Sequence, residues 1–403
     1  MTTYKELHRR SIQEREAFWA EEAKRIHWHK PFGKVLDYSR PPFAKWFVGG
    51  ETNLCHNAVD RHLAARAEQK ALVWISTEVD REESFTYRQL HAEVQRAAAM
   101  MRSLGVGRGD RVIIYMPNMP EAVFAILACA RIGAVHSVVF GGFAAASLAA
   151  RIDDAKPKLM VTADAAKHKG AQVPCTWLES SEPSYILYTS GTTGKPKGVQ
   201  RDVGGHAVAM AASMEYIYCG GPGETIFTTS DIGWAVGHSY IIYGPLIAGM
   251  TSILYEGVPV RPDPGVWWKI VQDHRVAVMF SAPTAIRVLK KSDPSWLKKY
   301  DLSSLKHLFL AGEPLDEPTH AWIANGLGKP VIDHYWQTET GWPVLTALHG
   351  VEKTPIKFGS PSFPAYGYDL KLLRESDASE AGADEKTEEA IQPPLPPGCI
   401  TTT

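Results

Sequence analysis

The chain has 403 residues, of which 45% are hydrophobic and 22% charged, and its formal net charge is −1. This length allows two or three packed subdomains, and the composition is typical of a soluble globular protein. The near-neutral charge gives no electrostatic reason to expect nucleic acid or an anionic membrane as a partner. We therefore expect partners that are small-molecule substrates.

The five cysteines are scattered along the chain and form no Cys-x-x-Cys pair. This usage suits a reducing cytosol and argues against a structural zinc site or a disulfide framework. The most apolar segment, residues 122–139, is interrupted by Arg131, Gly133 and His136. It predicts a buried helix that enters a strand rather than a membrane span. The start of the chain lacks the apolar region of a signal peptide, so we expect a cytoplasmic protein.

The predicted elements begin with a helix that opens at a capping box, Ser11 to Glu14, and ends near Ile26. A loop-rich leader follows, and from Phe85 the signals for helices and strands alternate. Helices are predicted from residue 85 to about 105 and over 121–132. Strands are predicted at 112–116, 136–140, 158–162, 185–188, 277–280, 308–310 and 331–332.

This alternation predicts an α/β fold of parallel sheets joined by right-handed crossovers. Ligands of such sheets bind beyond the carboxyl ends of the strands. Four polar stretches directly follow apolar runs, at 189–197, 281–283, 312–314 and 334–340. The sequence therefore predicts that they line one nucleotide site. Residues 374–398 are acidic and then proline-rich, which predicts a surface hairpin and an exposed tail.

The most informative stretch reads Tyr-Thr-Ser-Gly-Thr-Thr-Gly-Lys-Pro-Lys-Gly-Val over residues 188–199. Glycines let the backbone approach a ligand and expose N–H groups, and the lysines supply positive charge. Such a loop suits a triphosphate or a leaving pyrophosphate. It is not a Walker A loop, because no Gly-Lys-Ser/Thr closes it. The alternative, a flexible polar turn, does not explain why hydroxyls, glycines and lysines interleave so densely.

This stretch resembles the signature of the adenylate-forming superfamily, and the similarity continues through Phe309–Pro314 and Tyr335–Gly341. Phe18-Trp19 and Asn57–His62 resemble the leader of its short-chain acyl-CoA synthetases. The resemblance implies a large domain with two parallel-rich sheets, flanking helices and a smaller β-barrel-like subdomain. The implied division is a leader over 1–84, an AMP-binding core over 85–373 and a terminal hairpin over 374–403.

The resemblance also implies an ATP-dependent ligase that activates a short carboxylate, with propionate favoured, and transfers it to coenzyme A. In this family the segment Gly312, Glu313, Pro314 lies along one face of adenine and Tyr335 stacks on the other. Asp333 and His334 are then expected at the edge of the base. The alternative for the aromatic pair Tyr335 and Trp336 is core packing. The full set of expected nucleotide-binding residues is Thr189, Ser190, Gly191, Thr192, Thr193, Gly194, Lys195, Gly312, Glu313, Pro314, Asp333, His334, Tyr335, Trp336, Gln337 and Thr338.

Two residues are expected to take part in catalysis. Glu339 matches the family glutamate that helps to hold Mg²⁺, a hard cation that prefers oxygen ligands. The alternative is a solvated surface glutamate. Lys197 is expected to neutralise charge on the pyrophosphate.

The residues expected to line the acyl pocket are Trp234, Ala235, Val236, Ala311 and Trp336. Ala311 and Val236 stand where acetate-activating relatives typically carry valine and threonine. Both differences make the pocket roomier or more apolar, as one extra methylene requires. The preference should be leaky, because a methylene is worth only about 1–3 kcal/mol of discrimination. His238 is expected either to line the same channel or to pack in the core.

The chain departs from the family in two places. Between Thr162 and Pro183 it is several dozen residues shorter, where the arginines that bind the coenzyme A 3′-phosphate are expected. It also ends at Thr403, before the family's ribose-binding aspartate and its lysine-bearing C-terminal domain. We expect these 403 residues alone not to complete thioester formation. The rival hypotheses are an acetyl-CoA synthetase with a tolerant pocket and a non-catalytic adenylate-binding fragment.

Overall fold

The computed structural model of the protein describes residues 2–163, 172–189, 196–382 and 387–400. The strands are β1 (Lys34–Arg40), β2 (Phe43–Val48), β3 (Glu51–Thr52), β4 (Lys70–Ser76), β5 (Arg81–Thr86), β6 (Arg111–Tyr115), β7 (Val135–Val138), β8 (Leu159–Thr162), β9 (Leu178–Glu179), β10 (Pro183–Thr189), β11 (Lys197–Asp202), β12 (Thr225–Thr228), β13 (Thr251–Glu256), β14 (Val276–Ser281), β15 (His307–Leu310), β16 (Val331–Asp333), β17 (Leu345–Thr346), β18 (Phe363–Pro364), β19 (Asp369–Arg374) and β20 (Thr387–Gln392). The helices are α1 (Tyr4–Gln13), α2 (Arg15–Glu22), α3 (Leu54–Ala58), α4 (Leu63–Arg66), α5 (Tyr87–Ser103), α6 (Pro120–Ile132), α7 (Ala145–Ala155), α8 (Gly204–Tyr216), α9 (Ala235–Gly237), α10 (Gly244–Ile247), α11 (Val266–Asp273), α12 (Pro283–Lys290) and α13 (Glu317–Leu327).

Two largely parallel sheets dominate the fold. The larger has seven strands in the order β16-β15-β14-β12-β13-β4-β5, and only β5 runs antiparallel to its neighbour. The smaller has five strands in the order β11-β10-β7-β6-β8, with β11 antiparallel to β10. Since helices connect the parallel strands, the predicted α/β class is confirmed.

Alternating side chains give the seven-stranded sheet two apolar faces. On β14, for example, Val278 and Phe280 join the main core, whereas Met279 joins a second core under α11, α12 and α13. A strand covered on both faces is expected to be apolar throughout, as the run from Val276 to Phe280 is. This arrangement leaves the ends of the strands as the places where polar residues can collect.

Local signals explain the two helices that were predicted most closely. Thr86 caps α5 and forms a capping box with Gln89, and α5 ends at Ser103. Pro120 begins α6, and Gly133 ends it with a φ of 76°. Only glycine adopts that backbone conformation without strain, so the end of this helix could be predicted from the sequence.

The predicted start of the first helix, at Ser11, is wrong. The structure has two helices there, and the capping box is formed by Thr3 and Glu6 at the start of α1. The Ser11 hydroxyl instead donates to the carbonyl of His8 within α1, at 2.7 Å. Both sites match the capping pattern, but the N–H groups next to Ser11 already bond within the helix, so only Thr3 meets free ones.

The predicted hairpin is present, but the predicted exposed tail is wrong. β19 pairs antiparallel with β20, so the hairpin begins at Asp369. Beyond it, Pro394 and residues 396–399 are buried. The Trp46 and Trp342 indoles donate to the carbonyls of Leu395 and Pro397 at 3.1 and 3.0 Å. Prolines lack an N–H to satisfy, and the carbonyls of Leu395 and Pro397 find indole donors, which is why a proline-rich segment can be buried here.

The remaining described strands form four separate two-stranded antiparallel sheets. The expected β-barrel-like subdomain is therefore not a closed barrel in the described part of the chain, since four of these strands, β3, β9, β17 and β18, have only two residues each. Among the described helices, none has the length and apolarity needed to cross a membrane. The division at residues 84 and 374 stays a prediction.

Candidate active site

Two adjoining cavities open at one end of the seven-stranded sheet. The first, called the inner cavity, has a volume of about 420 Å³ and is lined by Thr229, Ser230, Trp234, Ala235, Val236, Phe280, Ser281, Ala282, Ala311, Gly312, Trp336, Gln337 and Thr338. The second, called the outer cavity, has a volume of about 350 Å³ and is lined by Gly312, Glu313, Pro314, Leu315, Asp333, His334, Tyr335, Trp336, Gly359, Pro361 and Glu389. Gly312 and Trp336 line both.

The topology of the sheet explains why these residues meet. The strands β12, β14, β15 and β16 are neighbours and parallel, so their carboxyl ends lie along one edge. The structure thus brings together three of the four predicted polar stretches, those at 281–283, 312–314 and 334–340. The fourth follows β10, which belongs to the other sheet.

All five residues expected in the acyl pocket line the inner cavity. Ala311 directly follows β15 and is 4% exposed. Trp234 is 45% exposed and packs against Phe140 and Phe143, with ring centroids 5.9 and 6.1 Å apart. The lining is therefore mostly apolar, with the hydroxyls of Thr229 and Ser281 hydrogen-bonded to each other at 2.8 Å.

The loop after β15 is held by contacts from Thr284 and Arg287, which line neither cavity. Gly312 has a φ of +104°, which favours glycine and turns the chain sharply. The Glu313 carboxylate accepts hydrogen bonds from Thr284 and, at 2.9 Å, from Arg287. Arg287 also donates to the Pro314 carbonyl at 2.7 Å. These bonds, led by those from Thr284, lower the pKa of Glu313, so its side chain braces the loop.

Asp333 and His334 differ in their surroundings. Asp333 is 6% exposed, and burial raises its pKa to about 7. The His334 ring stacks on Phe309 with centroids 5.0 Å apart and lies edge-on to Tyr218 and Phe280. Burial lowers the pKa of His334 to about 3, so the ring is neutral. His334 lines the outer cavity, but its imidazole is held in an aromatic core.

The turn after β16 orders the next predicted residues. The Gln337 side chain donates to the Tyr335 hydroxyl at 3.0 Å, and the Gln337 N–H donates to the Thr340 hydroxyl at 3.1 Å. The backbone of Tyr335 also pairs with Leu345. Tyr335 is therefore held at the cavity wall both through its side chain and through its backbone.

Arg201 braces this turn, and sequence reasoning missed it. It is 1% exposed, and its guanidinium donates to the Thr338 carbonyl. The Ser239 hydroxyl donates to the carbonyl of Gly341 at 2.9 Å. Arg201 lies on β11 among polar residues, so only the approach of the two sheets reveals the contact. Thr229 and Ser230 were missed too, although the apolar run before them followed by Thr-Thr-Ser could have signalled another strand end.

The two residues expected to be catalytic are placed differently. Glu339 is half-buried, and its carboxylate has no hydrogen-bond or ion-pair partner among the described residues, while its carbonyl accepts from the N–H of Ile400 at 2.9 Å. Lys197 is exposed and pairs with Thr189 across the β10–β11 hairpin. It lines a third cavity, of about 750 Å³, together with Tyr188 and Asp154. Ser190, Gly191, Thr192, Thr193, Gly194 and Lys195 lie outside the described residues.

His238 packs in the core. Its ring is fully buried, stacks on His136 with centroids 5.4 Å apart, and lies 4.7 Å from the ring of Tyr185. Of the two roles open from the sequence, the packing role is the one that this arrangement favours.

Comparison with protein families adds to this geometry. The model for the AMP-binding enzyme family matches residues 59–391, and the model for the acetyl-coenzyme A synthetase N-terminus matches residues 4–58. Together they account for nearly the whole chain.

The chain belongs to the AMP-binding enzyme family. Among similar members, the propionate–CoA ligase of Escherichia coli K12 is 53% identical, with 99% of this chain and 72% of the relative covered. The acetyl-coenzyme A synthetase of Wolinella succinogenes is 40% identical, with 92% of this chain and 65% of the relative covered. The human mitochondrial acyl-CoA synthetase short-chain family member 3 is 38% identical over 99% of this chain and 66% of the relative.

A solved structure agrees with the fold. The acetoacetyl-CoA synthetase of Streptomyces lividans superimposes with a TM-score of 0.89, covering 98% of this chain and 68% of that one, at 24% identity. The alignment with the Escherichia coli family member spans 452 positions, whereas this chain has 403 residues. That relative therefore carries internal residues without a counterpart here, in agreement with the shortening inferred from the sequence.

Proposed function

We propose that this AMP-binding enzyme joins propionate to coenzyme A through a propionyl-AMP intermediate, with release of pyrophosphate. The proposal rests on the small apolar inner cavity, which Ala311 borders. Beside it lies the outer cavity, which is lined by the segments expected to bind adenine. The 53% identity to a propionate–CoA ligase supports the same substrate.

The chemistry explains why two adjoining cavities are useful. A carboxylate does not react with a thiol at neutral pH, so its oxygen must first be exchanged for a better leaving group. Attack of the carboxylate oxygen on the α-phosphorus of ATP forms the acyl-AMP and expels pyrophosphate. With the acid in the inner cavity and adenosine in the outer one, the reacting atoms meet near Gly312 and Trp336, which both cavities share.

We assign adenine to the space between Gly312–Pro314 and Tyr335. The bracing of Glu313 by Arg287 and of Thr338 by Arg201 supports this assignment, since both walls are held before the ligand arrives. Asp333 supplies a buried polar group at the same cavity.

We assign the phosphates to the side of residues 189–197 and Glu339. The Glu339 carboxylate, unpartnered among the described residues, fits an oxygen ligand for Mg²⁺. When bound there, Mg²⁺ would neutralise charge on the phosphates. Lys197 would have to turn or move toward the cavities to reach the pyrophosphate, because it lines a separate cavity here.

An acetyl-CoA synthetase with a tolerant pocket is the second candidate. The Wolinella succinogenes relative supports it, and the discrimination expected from one methylene is small. Ala311 separates the two candidates, because valine at this buried wall would occupy the space for the terminal methyl of propionate.

The test is pyrophosphate exchange with acetate, propionate and butyrate, each assayed separately, on the full chain and on Ala311→Val. We expect propionate to be preferred, and the variant to shift the propionate-to-acetate ratio of kcat/KM by about 1–3 kcal/mol toward acetate. Ala324→Val, on α13 and in neither cavity lining, is the matched control. An unchanged ratio in Ala311→Val removes the pocket assignment, and exchange with none of the three acids removes the proposed function.

A further inference from the structure

A second cluster of reactive side chains lies away from both cavities, where the leader meets the segment that enters β9. Cys55 and His56 lie on α3, and Cys175 precedes β9. The Cys55 thiol donates to the Asp60 carboxylate, with 3.9 Å between sulfur and oxygen, and the Cys175 thiol interacts with Cys55 and His56. One donor atom each of His56, Asp60 and Cys175 lies within 4.8 Å of the others. Two cysteines far apart in the sequence therefore meet at an imidazole and a carboxylate.

The backbone on both sides of Cys175 is fixed. The Arg131 side chain donates to the Val173 carbonyl at 2.5 Å. The backbone carbonyl of Arg131 accepts a hydrogen bond from the Thr176 N–H at 2.8 Å. Asn53, the N-cap of α3, donates to the Thr176 carbonyl at 2.8 Å. The backbone that carries Cys175 is thus fixed relative to α3, which carries Cys55.

The two thiols have different chemical character. Cys55 is fully buried, and burial together with the bond to Cys175 raises its pKa. Cys175 is half-buried, and its interactions with Cys55 and His56 lower its pKa. Because the thiolate is the nucleophile, Cys175 is suited to react first and Cys55 to react second.

Arg131 makes this cluster a poor site for a cation. Its guanidinium donates to both oxygens of the Asp60 carboxylate, at 2.8 and 2.9 Å. One of its nitrogens is also 3.6 Å from the Cys55 sulfur. A metal ion bound by these sulfurs and this carboxylate would lie beside a fixed positive charge, whereas the same charge stabilises a thiolate.

We propose that Cys175 is an oxidation site for hydroperoxides and that Cys55 resolves it by forming a Cys55–Cys175 disulfide. This inference does not depend on the proposed function. The disulfide would tie α3 of the leader to the segment that leads through β9 into β10.

The reaction balances in two steps. The Cys175 thiolate attacks one oxygen of the hydroperoxide, the S–O bond forms as the O–O bond breaks, and hydroxide or alkoxide leaves with the electron pair. The sulfur is oxidised to a sulfenic acid while the hydroperoxide is reduced. The Cys55 sulfur then attacks the Cys175 sulfur, the S–S bond forms as the S–OH bond breaks, and the Cys55 proton leaves with that oxygen as water.

The other cysteines provide internal references. Cys219 is half-buried, and burial raises its pKa to about 11. Cys129 and Cys399 are buried, with pKa values also raised by burial. Cys175 is thus the only one of the five thiols whose surroundings favour the thiolate, and Cys219 is the matched control because it is also partly accessible.

The experiment treats the reduced full chain with a small amount of hydrogen peroxide at pH 7, blocks free thiols and maps the peptides by mass. We expect the Cys55 and Cys175 peptides to appear joined, with the loss of two hydrogen atoms, reversibly by dithiothreitol. Alkylation of Cys175 in the reduced protein should be at least about tenfold faster than that of Cys219. Cys219→Ser should leave both results unchanged.

A resolving-residue variant tests the second step. In Cys55→Ala, checked for folding by circular dichroism, the sulfenic acid of Cys175 should persist long enough to be trapped by dimedone. The proposal is overturned if Cys175 reacts no faster than Cys219, or if wild-type Cys175 is oxidised to sulfinic acid without forming the cross-link. It is also overturned if the purified chain holds one equivalent of zinc that Cys175→Ser removes. Wild-type mapping alone decides the matter if Cys55→Ala does not fold.

Discussion

The indole of Trp336 lies edge-on against the ring of Tyr240, with centroids 5.7 Å apart and an interplanar angle of 67°. Tyr240 is fully buried, and its hydroxyl donates to Ser213 at 3.2 Å. Because the supporting ring is fixed in the core, Trp336 is held as a wall between the inner and outer cavities.

Removing this wall should change the length of the acid that the enzyme accepts. In Trp336→Gly we expect activity with longer straight-chain acids to appear. We also expect kcat/KM for propionate to fall by a factor equivalent to about 2–3 kcal/mol, because the terminal groups of the acid lose an apolar wall. The measurement is pyrophosphate exchange across acids of two to six carbons. Trp336→Phe keeps a ring at the wall and should keep the short-chain preference, so a long-chain preference in that variant would contradict the assignment.

Loss of the charges assigned to the phosphates should slow adenylation. In Glu339→Ala and Lys197→Ala we expect the barrier to rise by about 2–4 kcal/mol, because each removes a charge contact that is used as pyrophosphate leaves. Single-turnover formation of acyl-AMP measures this step separately from the binding of the carboxylate. Lys357→Ala, at an exposed residue outside both cavities, serves as the control. Rates equal to those of the control would remove that residue from the phosphate site.

Weakening the brace on the adenine loop should affect nucleotide binding more than chemistry. Arg287 contacts Glu313, Asp316 and the Pro314 carbonyl, all outside the reacting centre. Since these contacts are partly exposed, we expect Arg287→Ala to raise KM for ATP about fivefold, equivalent to about 1 kcal/mol, with little change in kcat. Arg287→Lys should restore the wild-type KM for ATP only in part, because lysine cannot make the forked contacts of arginine. A fall in kcat with an unchanged KM would argue against a role in positioning the loop.

The buried pair of Asp60 and Arg131 should make stability depend on pH. Burial opposes the charge of Asp60, but the bonds from His91 and Arg131 outweigh it and hold the pKa well below its usual range. The stabilisation is therefore complete above the ordinary value of about 4 and is lost as the pH falls below it. At pH 7 we expect Asp60→Asn to lower the free energy of unfolding by about 3–5 kcal/mol.

Urea unfolding under reducing conditions at several pH values measures this difference. The gap between wild type and Asp60→Asn should shrink steadily below about pH 4. A gap that stays constant with pH would show that the cost comes from altered packing rather than from the charge of Asp60.

Much of the α/β core could be predicted because its signals are local. The Val276–Ser281 strand is apolar throughout, and α6 is bounded by Pro120 and Gly133, so the residues themselves mark the element. The buried tail could not be predicted in the same way. Its prolines are typical of exposed segments, and only the indoles of Trp46 and Trp342, far away in the chain, give its carbonyls partners.

For the candidate site, the sequence by itself determined the strand-end segments that line the cavities, because polar residues directly after apolar strands must lie at the edge of a parallel sheet. The tertiary structure alone decided which strands are neighbours, and hence that Thr229 and Ser230 join Ala311 and Trp336. It also decided that Lys197 lies on the other sheet and that Arg201 reaches Thr338. The physical reason is that sequence patterns report the surroundings of one segment, whereas contacts between segments depend on sheet order and on how the two sheets pack.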